Sequence, residues 1–185
     1  LSFKKKLSID YWNWRFLNNP EHKLMIKLMW DKEELVGHYA VSPVQLLVAE
    51  ETILTALSMT TMTHPEYAGK GIFTDLAEAL YLQEQERNGL KAVWGFPNAN
   101  SHYGFIKNLK WKNLEQIPTF TLECSKLKSS SFPEIRIANQ FTEQHVNTQK
   151  KGATPFSIQV KKSVEYLNWR YIQNPINTYD VFIGF

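Results

Sequence analysis

The chain has 185 residues, 43% of them hydrophobic and 14% aromatic, with a formal net charge of +3; this is room for one ordinary domain and part of another, with the apolar content of a packed core rather than a disordered tail. Its basic residues are dispersed, with Lys4 to Lys6, Lys150, Lys151, Lys161 and Lys162 as the only clusters and no aromatic stripe among them, so no nucleic-acid partner is expected. Cys124 is the only cysteine, which excludes an internal disulfide or cysteine-built metal site and fits a reducing, cytoplasmic compartment; no apolar run approaches the ~20 residues of a membrane span, and no signal-peptide pattern is present.

Ser8 and Asp10 suit the caps of a short aromatic helix through Tyr11, Trp12, Trp14, Phe16 and Leu17. Asn18, Asn19 and Pro20 stop it, since proline disfavours helix in the residue before it. Leu24 to Trp30 reads as a strand, and the charged turn Asp31 to Glu34 leads into Leu35 to Val48, where β-branched and aromatic residues dominate and Pro43 predicts a bend or bulge. After a turn at Ala49 to Thr52, Ile53 to Thr63 completes an antiparallel meander.

His64 and Pro65 end that strand. Gly69 and Gly71 then precede a helical pattern in which Phe73, Ala77 and Leu80 share one face with Ile72, Leu76 and Ala79, and Asn88 and Gly89 stop it. Lys91 to Phe96 is a short, nearly all-apolar strand of the kind found inside a parallel pair, here joined by a right-handed crossover. A second helix is predicted from Ser101 to Leu109, capped by Asn100 or Ser101, followed by a strand from Trp111 to Glu123. Cys124 reads as a small core residue at its end, and Lys126 to Ser131 as a polar linker.

Beyond the linker the sequence repeats itself. Ser163, Tyr166, Asn168, Trp169, Arg170, Asn174 and Pro175 stand at the same spacing as Ser8, Tyr11, Asn13, Trp14, Arg15, Asn19 and Pro20, which argues for two copies of one unit. The second copy starts with a strand at Ile135 to Ala138 and breaks off at Phe185, level with Trp30 of the first. The expected organisation is therefore a first unit over 1–126 lacking its first strand and helix, a linker at 127–132 and a partial second unit over 133–185, the whole being a piece of a longer protein. Trp14 and Trp169, each followed by an arginine, read as aromatic core anchors with the arginine stacked beside them.

The segment Thr63 to Phe73 carries the chemistry. Its glycines let the backbone turn tightly and aim several N–H groups at one point, and the helix that begins there adds the positive end of its dipole, so a pyrophosphate is a fitting ligand. Lys70 adds a screened charge. The dinucleotide fingerprint fails for want of a third glycine, and the nucleotide P-loop fails because no Gly-Lys-Ser/Thr is present. His38, His64, His102 and the carboxylates lack metal-ligand spacing, and no carboxylate pair suits glycoside hydrolysis, so no metal is expected.

Together with Gly95 to Ser101 and Gly104 to Trp111, the loop resembles that of the GNAT superfamily of acyl-CoA-dependent N-acyltransferases, in a tandem arrangement with a truncated second unit. The family pattern Arg/Gln-x-x-Gly-x-Gly/Ala falls on Ala68, Gly71 and Phe73; only Gly71 matches strictly, while Gly69-Lys70-Gly71-Ile72 reproduces the usual core. The resemblance implies a mixed α/β fold, with a central mixed sheet splayed between two parallel strands and helices on both faces. It implies that Met62 and Thr63 bond the pantetheine arm, that the amides of Ala68, Gly69, Lys70, Gly71, Ile72, Phe73 and Thr74 hold the pyrophosphate, and that Asn100 lies against the arm.

It implies further an acetyl transfer from acetyl-CoA to a small-molecule primary amine, an amino sugar or metabolite, without a covalent intermediate. The acceptor would be walled by His38, Tyr39, Thr60, Asn98 and Ser101. His38, His64 and Glu51 are the candidates for a base. The family's acidic tyrosine falls on Ile106, leaving Tyr103 or His102 to protonate the departing thiolate. A homo-oligomer is compatible with this reading and a membrane partner is not expected. Two other readings stay open: an acyl-CoA-binding regulatory module without catalysis, and an aminoacyl-tRNA-dependent transferase.

Overall fold

The computed structural model describes residues 8–49, 51–123, 125, 135–152 and 158–184. In chain order its elements are α1 (Ile9–Trp12), β1 (Met25–Asp31), β2 (Glu34–Val48), β3 (Glu51–Thr63), α2 (Ile72–Asn88), β4 (Ala92–Trp94), α3 (Ala99–Tyr103), β5 (Ile135–Ala138), α4 (Glu143–Gly152), β6 (Ile158–Val160), α5 (Val164–Leu167) and β7 (Val181–Gly184). The main sheet runs β1-β2-β3-β4, antiparallel through β3 and parallel between β3 and β4, with β6 added antiparallel to β2. This is a mixed α/β fold with a mixed-direction sheet. The expected linker and Cys124 lie outside the described residues.

The helix α2 packs on one face of this sheet, and Gly37 lets it approach closely. A Cβ on that glycine would stand 2.5 Å from Ile72 and 2.8 Å from Leu76. Ile72, Leu76, Ala77 and Leu80 are buried there against Met25, Val36, Tyr39, Val41 and Ala56, each large apolar side chain contributing about 1.5–3 kcal/mol. Both helix ends are glycines in the left-handed region, Gly71 at φ +83 and Gly89 at φ +68. At the C-terminal end the Gly89 and Leu90 amides bond back to Gln85 and Glu84, which closes the helix in a Schellman-type turn.

Three expectations are corrected. Pro43 makes no bulge: it holds regular register with Ala56, and on its other side it lies between the end of β1 pairing at Val41 and the start of β6 pairing at Leu46, where no ladder donor is required. The bulges fall instead between Met29 and Trp30 and between His38 and Ala40. No strand forms at 111–123; Leu114, Phe120 and Leu122 are exposed and that stretch pairs with no strand among the described residues. The cap of α3 is Asn98, whose Oδ1 accepts from the Asn100 and Ser101 amides, so the helix begins two residues early.

The repeat has a structural reason. Ser8 and Ser163 each cap a four-residue helix by accepting from the amide three residues on, at 3.1 and 3.2 Å. Each helix then widens into a π-turn, Asn13–Leu17 and Asn168–Ile172. The two copies meet face to face. Trp14 Nε1 donates to the Trp169 carbonyl at 2.8 Å and Trp169 Nε1 to the Trp14 carbonyl at 2.9 Å, with the rings stacked 4.8 Å apart. The Arg15 guanidinium covers both rings, at 4.8 and 5.2 Å. Flanking the second motif in the chain, β5 and β7 form a separate two-stranded sheet.

Candidate functional site

The site is built at the C-terminal end of β3, where its two neighbours part company. β4 pairs with β3 only from Thr55 to Leu57 and stops at Trp94. Gly95 still passes close to Ser58, where a Cβ would lie 3.4 Å from the Ser58 carbonyl oxygen. Beyond that point, Met59 to Thr63 pairs with no strand on the β4 side among the described residues, so the stretch that contains Met62 and Thr63 has no strand neighbour there. Their β2 side is closed by Gly37 and His38.

From this edge the chain enters the glycine loop through a tight 3-10 turn, Pro65–Tyr67. His64 holds the turn twice over: its amide donates to the Val36 carbonyl at 2.8 Å, and its Nδ1 accepts from the Glu66 amide at 3.3 Å. Its Nε2 lies 3.3 Å from Glu34. Both ring nitrogens are thus engaged, and His64 here serves as a cap rather than as a free base.

The Tyr67 and Ala68 amides close the turn on His64 and Pro65, and the Thr74 amide bonds to Gly71 inside the first turn of α2. Between them, the amides of Gly69, Lys70, Gly71, Ile72 and Phe73 bond to no protein group among the described residues. Of the seven amides expected at the site, five are therefore available and Ala68 and Thr74 are not. Left-handed φ at Gly69 (+78) and Gly71 (+83) produces this arrangement. The positive end of the 17-residue α2 points to the same spot.

Lys70 stands over the loop with its Nζ 4.3 Å from the centroid of the Tyr67 ring. The Tyr67 hydroxyl in turn donates to Asp31, and that hydrogen bond with the nearby carboxylates pushes its pKa up to about 12. Asp31 and Glu34, which line an open cleft with Lys32, Glu33 and Tyr67, are thereby tied to the loop by Tyr67 and His64.

The expected acceptor wall is only partly present. Tyr39 is wholly buried, packed on Phe73 and Tyr81, with its hydroxyl bonded to Ser58 and Tyr81. It forms the floor under the opening rather than its wall, and burial raises the pKa of both tyrosines. Asn98 and Ser101 face each other across the α3 cap, at 3.1 Å between Oδ1 and Oγ. Asn100 is exposed beside them.

His38 and Thr60 are in contact. Nδ1 of the ring is 2.7 Å from the Thr60 carbonyl oxygen, and Thr60 itself has φ +57. Burial holds the His38 pKa below 6.5, against the opposing pull of this hydrogen bond. Among the other proton-transfer candidates, Glu51 begins β3 and so lies at the wrong end of that strand. His102 bonds to Asn113 at 2.9 Å. Tyr103 is 61% exposed with Lys107 over its ring, and the half-buried Ile106 stands in the turn after α3. The Thr60 bulge is the feature missed in the sequence, because nothing in the run Ser58-Met59-Thr60-Thr61 marks a left-handed residue.

The sequence model of the acetyltransferase (GNAT) domain matches residues 2–113. No match is found among curated proteins. Solved structures similar to this chain include an acetyltransferase from Trypanosoma brucei, at 17% identity and a TM-score of 0.43, covering 52% of this chain and 68% of that one. An aminoglycoside acetyltransferase from an uncultured soil metagenomic sample, in complex with trehalose, gives 14%, 0.46, 66% and 78%. A protein described as a predicted acetyltransferase, from Clostridium acetobutylicum and with acetyl-CoA, gives 13% and 0.45; this chain spans 62% of its length, and 52% of the present chain is covered.

Proposed function

From the premise that this chain belongs to the acetyltransferase (GNAT) domain family, we propose that it transfers an acetyl group from acetyl-CoA to a primary amine of a small molecule, an amino sugar or metabolite. The observation that carries the reading is the set of five unpaired amides, Gly69 to Phe73, beside the edge of β3 that β4 leaves open. The amides suit a pyrophosphate, and the edge at Met62 and Thr63 suits an extended amide-bearing arm. We read residues 133–185 as the start of a second unit, and the protein as cytoplasmic.

The chemistry asked of the chain is modest. The amine lone pair attacks the thioester carbonyl, the C–S bond breaks, and the proton lost by the nitrogen ends on the departing sulfur. A strand N–H near Met62 would bond the developing oxyanion, and a positioned base or acid contributes typically about 10²–10⁴-fold. His38 Nε2 is the ring nitrogen left over once Nδ1 bonds Thr60, and Tyr103 offers an exposed hydroxyl.

A second reading, an acyl-CoA-binding module without catalysis, is favoured by the engagement of both His64 nitrogens and by isoleucine at position 106. One experiment separates the two. Titration calorimetry with acetyl-CoA should give one saturable site, and thiol release should appear with at least one member of a panel of amino sugars and aminoglycosides. Binding without release across the panel supports the second reading, and no binding at all sinks both.

A further inference from the structure

A bulge interrupts β3 close to its open end. Register between β2 and β3 is regular from Val48 with Glu51 to Ala40 with Met59, then resumes at His38 with Met62, so Tyr39 faces two residues, Thr60 and Thr61. Such an insertion bends the strand and redirects the residues beyond it. It requires Thr60 to sit at φ +57, where a β-branched residue is a steric outlier. A conformation of that kind persists only where its surroundings hold it.

The holding group is on the next strand. The Thr60 carbonyl can only accept, so at 2.7 Å the His38 Nδ1 must carry the proton and donate it. The stretch that this bond controls is short and fixed at both ends. Ser58 passes against Gly95 before it, and the His64 amide bonds to Val36 after it. The direction of Met62 and Thr63 is therefore decided by the bulge between those two anchors.

We propose that His38 is a positioning residue: through Nδ1–H it pins the Thr60 carbonyl, and so fixes the bulge that aims Met62 and Thr63 along the open edge of β3. This rests on the reading that the edge receives the arm of acetyl-CoA. The role needs a donor at Nδ1 and makes no use of Nε2, which separates it from proton transfer. It also predicts a partner for rescue, because glycine adopts the same φ without steric cost.

The test compares His38→Asn, His38→Leu and the double variant His38→Leu/Thr60→Gly with the wild type. Asparagine places an amide nitrogen where histidine has Nδ1 and has nothing at Nε2. Acetyl-CoA should bind to H38N within about threefold of the wild-type Kd and to H38L about tenfold more weakly, with the double variant returning most of the loss. An H38N variant as weak as H38L, or a deficit that T60G leaves untouched, overturns the proposal.

Melting temperatures of the same four proteins without ligand make the clamp independent of the cofactor reading. H38L should lose about 2–4 °C, which H38N and T60G restore; wild-type protein that does not bind acetyl-CoA refutes the function while leaving this comparison decisive for the clamp. Should H38L fail to fold, nitrogen NMR of the wild type decides the matter. A neutral ring protonated on Nδ1 supports the clamp, and one protonated on Nε2 overturns it.

Discussion

Glycine at three positions answers to two different constraints, and the difference is measurable. At Gly71 an added Cβ meets only the Asp75 carboxylate, at 3.8 Å, so Gly71→Ala is opposed by φ +83 and not by space. A left-handed alanine costs roughly 1–2 kcal/mol; the loop should relax away from this shape, and on the proposed function acetyl-CoA should bind about tenfold more weakly by calorimetry, with little change in melting temperature. Gly69, at φ +78 in open space, belongs with it. Gly37→Ala should do the reverse: a Cβ driven into Ile72 and Leu76 overpacks the seat of α2 by about 1–3 kcal/mol and lowers the melting temperature. The sequence marks the two loop glycines, because they precede a helical pattern. It cannot distinguish a histidine that caps a turn, as His64 does, from one free to take a proton, because that depends on the neighbours the ring finds.

Elements were legible where one local signal dominated. The apolar runs of β1 to β3 and the glycines bracketing α2 define those segments to within a few residues. The parallel β3–β4 pair was readable from an apolar strand after a helix. What failed depended on partners far along the chain. The stretch 111–123 has strand composition and no strand to join among the described residues, Pro43 is harmless only because two neighbouring strands leave a gap beside it, and the addition of β6 to β2 has no local signature. The tryptophan pair joins the two repeated motifs, and each indole both stacks and donates. Trp14→Phe and Trp169→Phe should each destabilise by about 1–3 kcal/mol, since each leaves a buried carbonyl without its donor. A double-mutant cycle by urea denaturation should show a coupling of at least about 0.5 kcal/mol; simple additivity would mean that the two hydrogen bonds act separately.

For the whole molecule, burial of His38 makes stability depend on pH. Its folded pKa lies below 6.5, so between the lowered value and 6.5 the unfolded chain binds more protons than the folded one, and stability is lost as the pH falls through that window. Melting temperatures measured between about pH 5 and 8 should fall on the acid side in the wild type, and that share of the slope should be missing in His38→Asn. The tryptophan pair bears on how the protein is made. Trp14 finds its partner 155 residues later, and the edge of β2 at Leu46 waits for Val160. At roughly 5–20 residues per second of synthesis, a nascent chain shows a large indole and a bare strand edge for about ten to thirty seconds before both are covered. Until residues 158–172 are made, the Trp14 indole and the β2 edge form an adhesive surface that a chaperone has reason to shield.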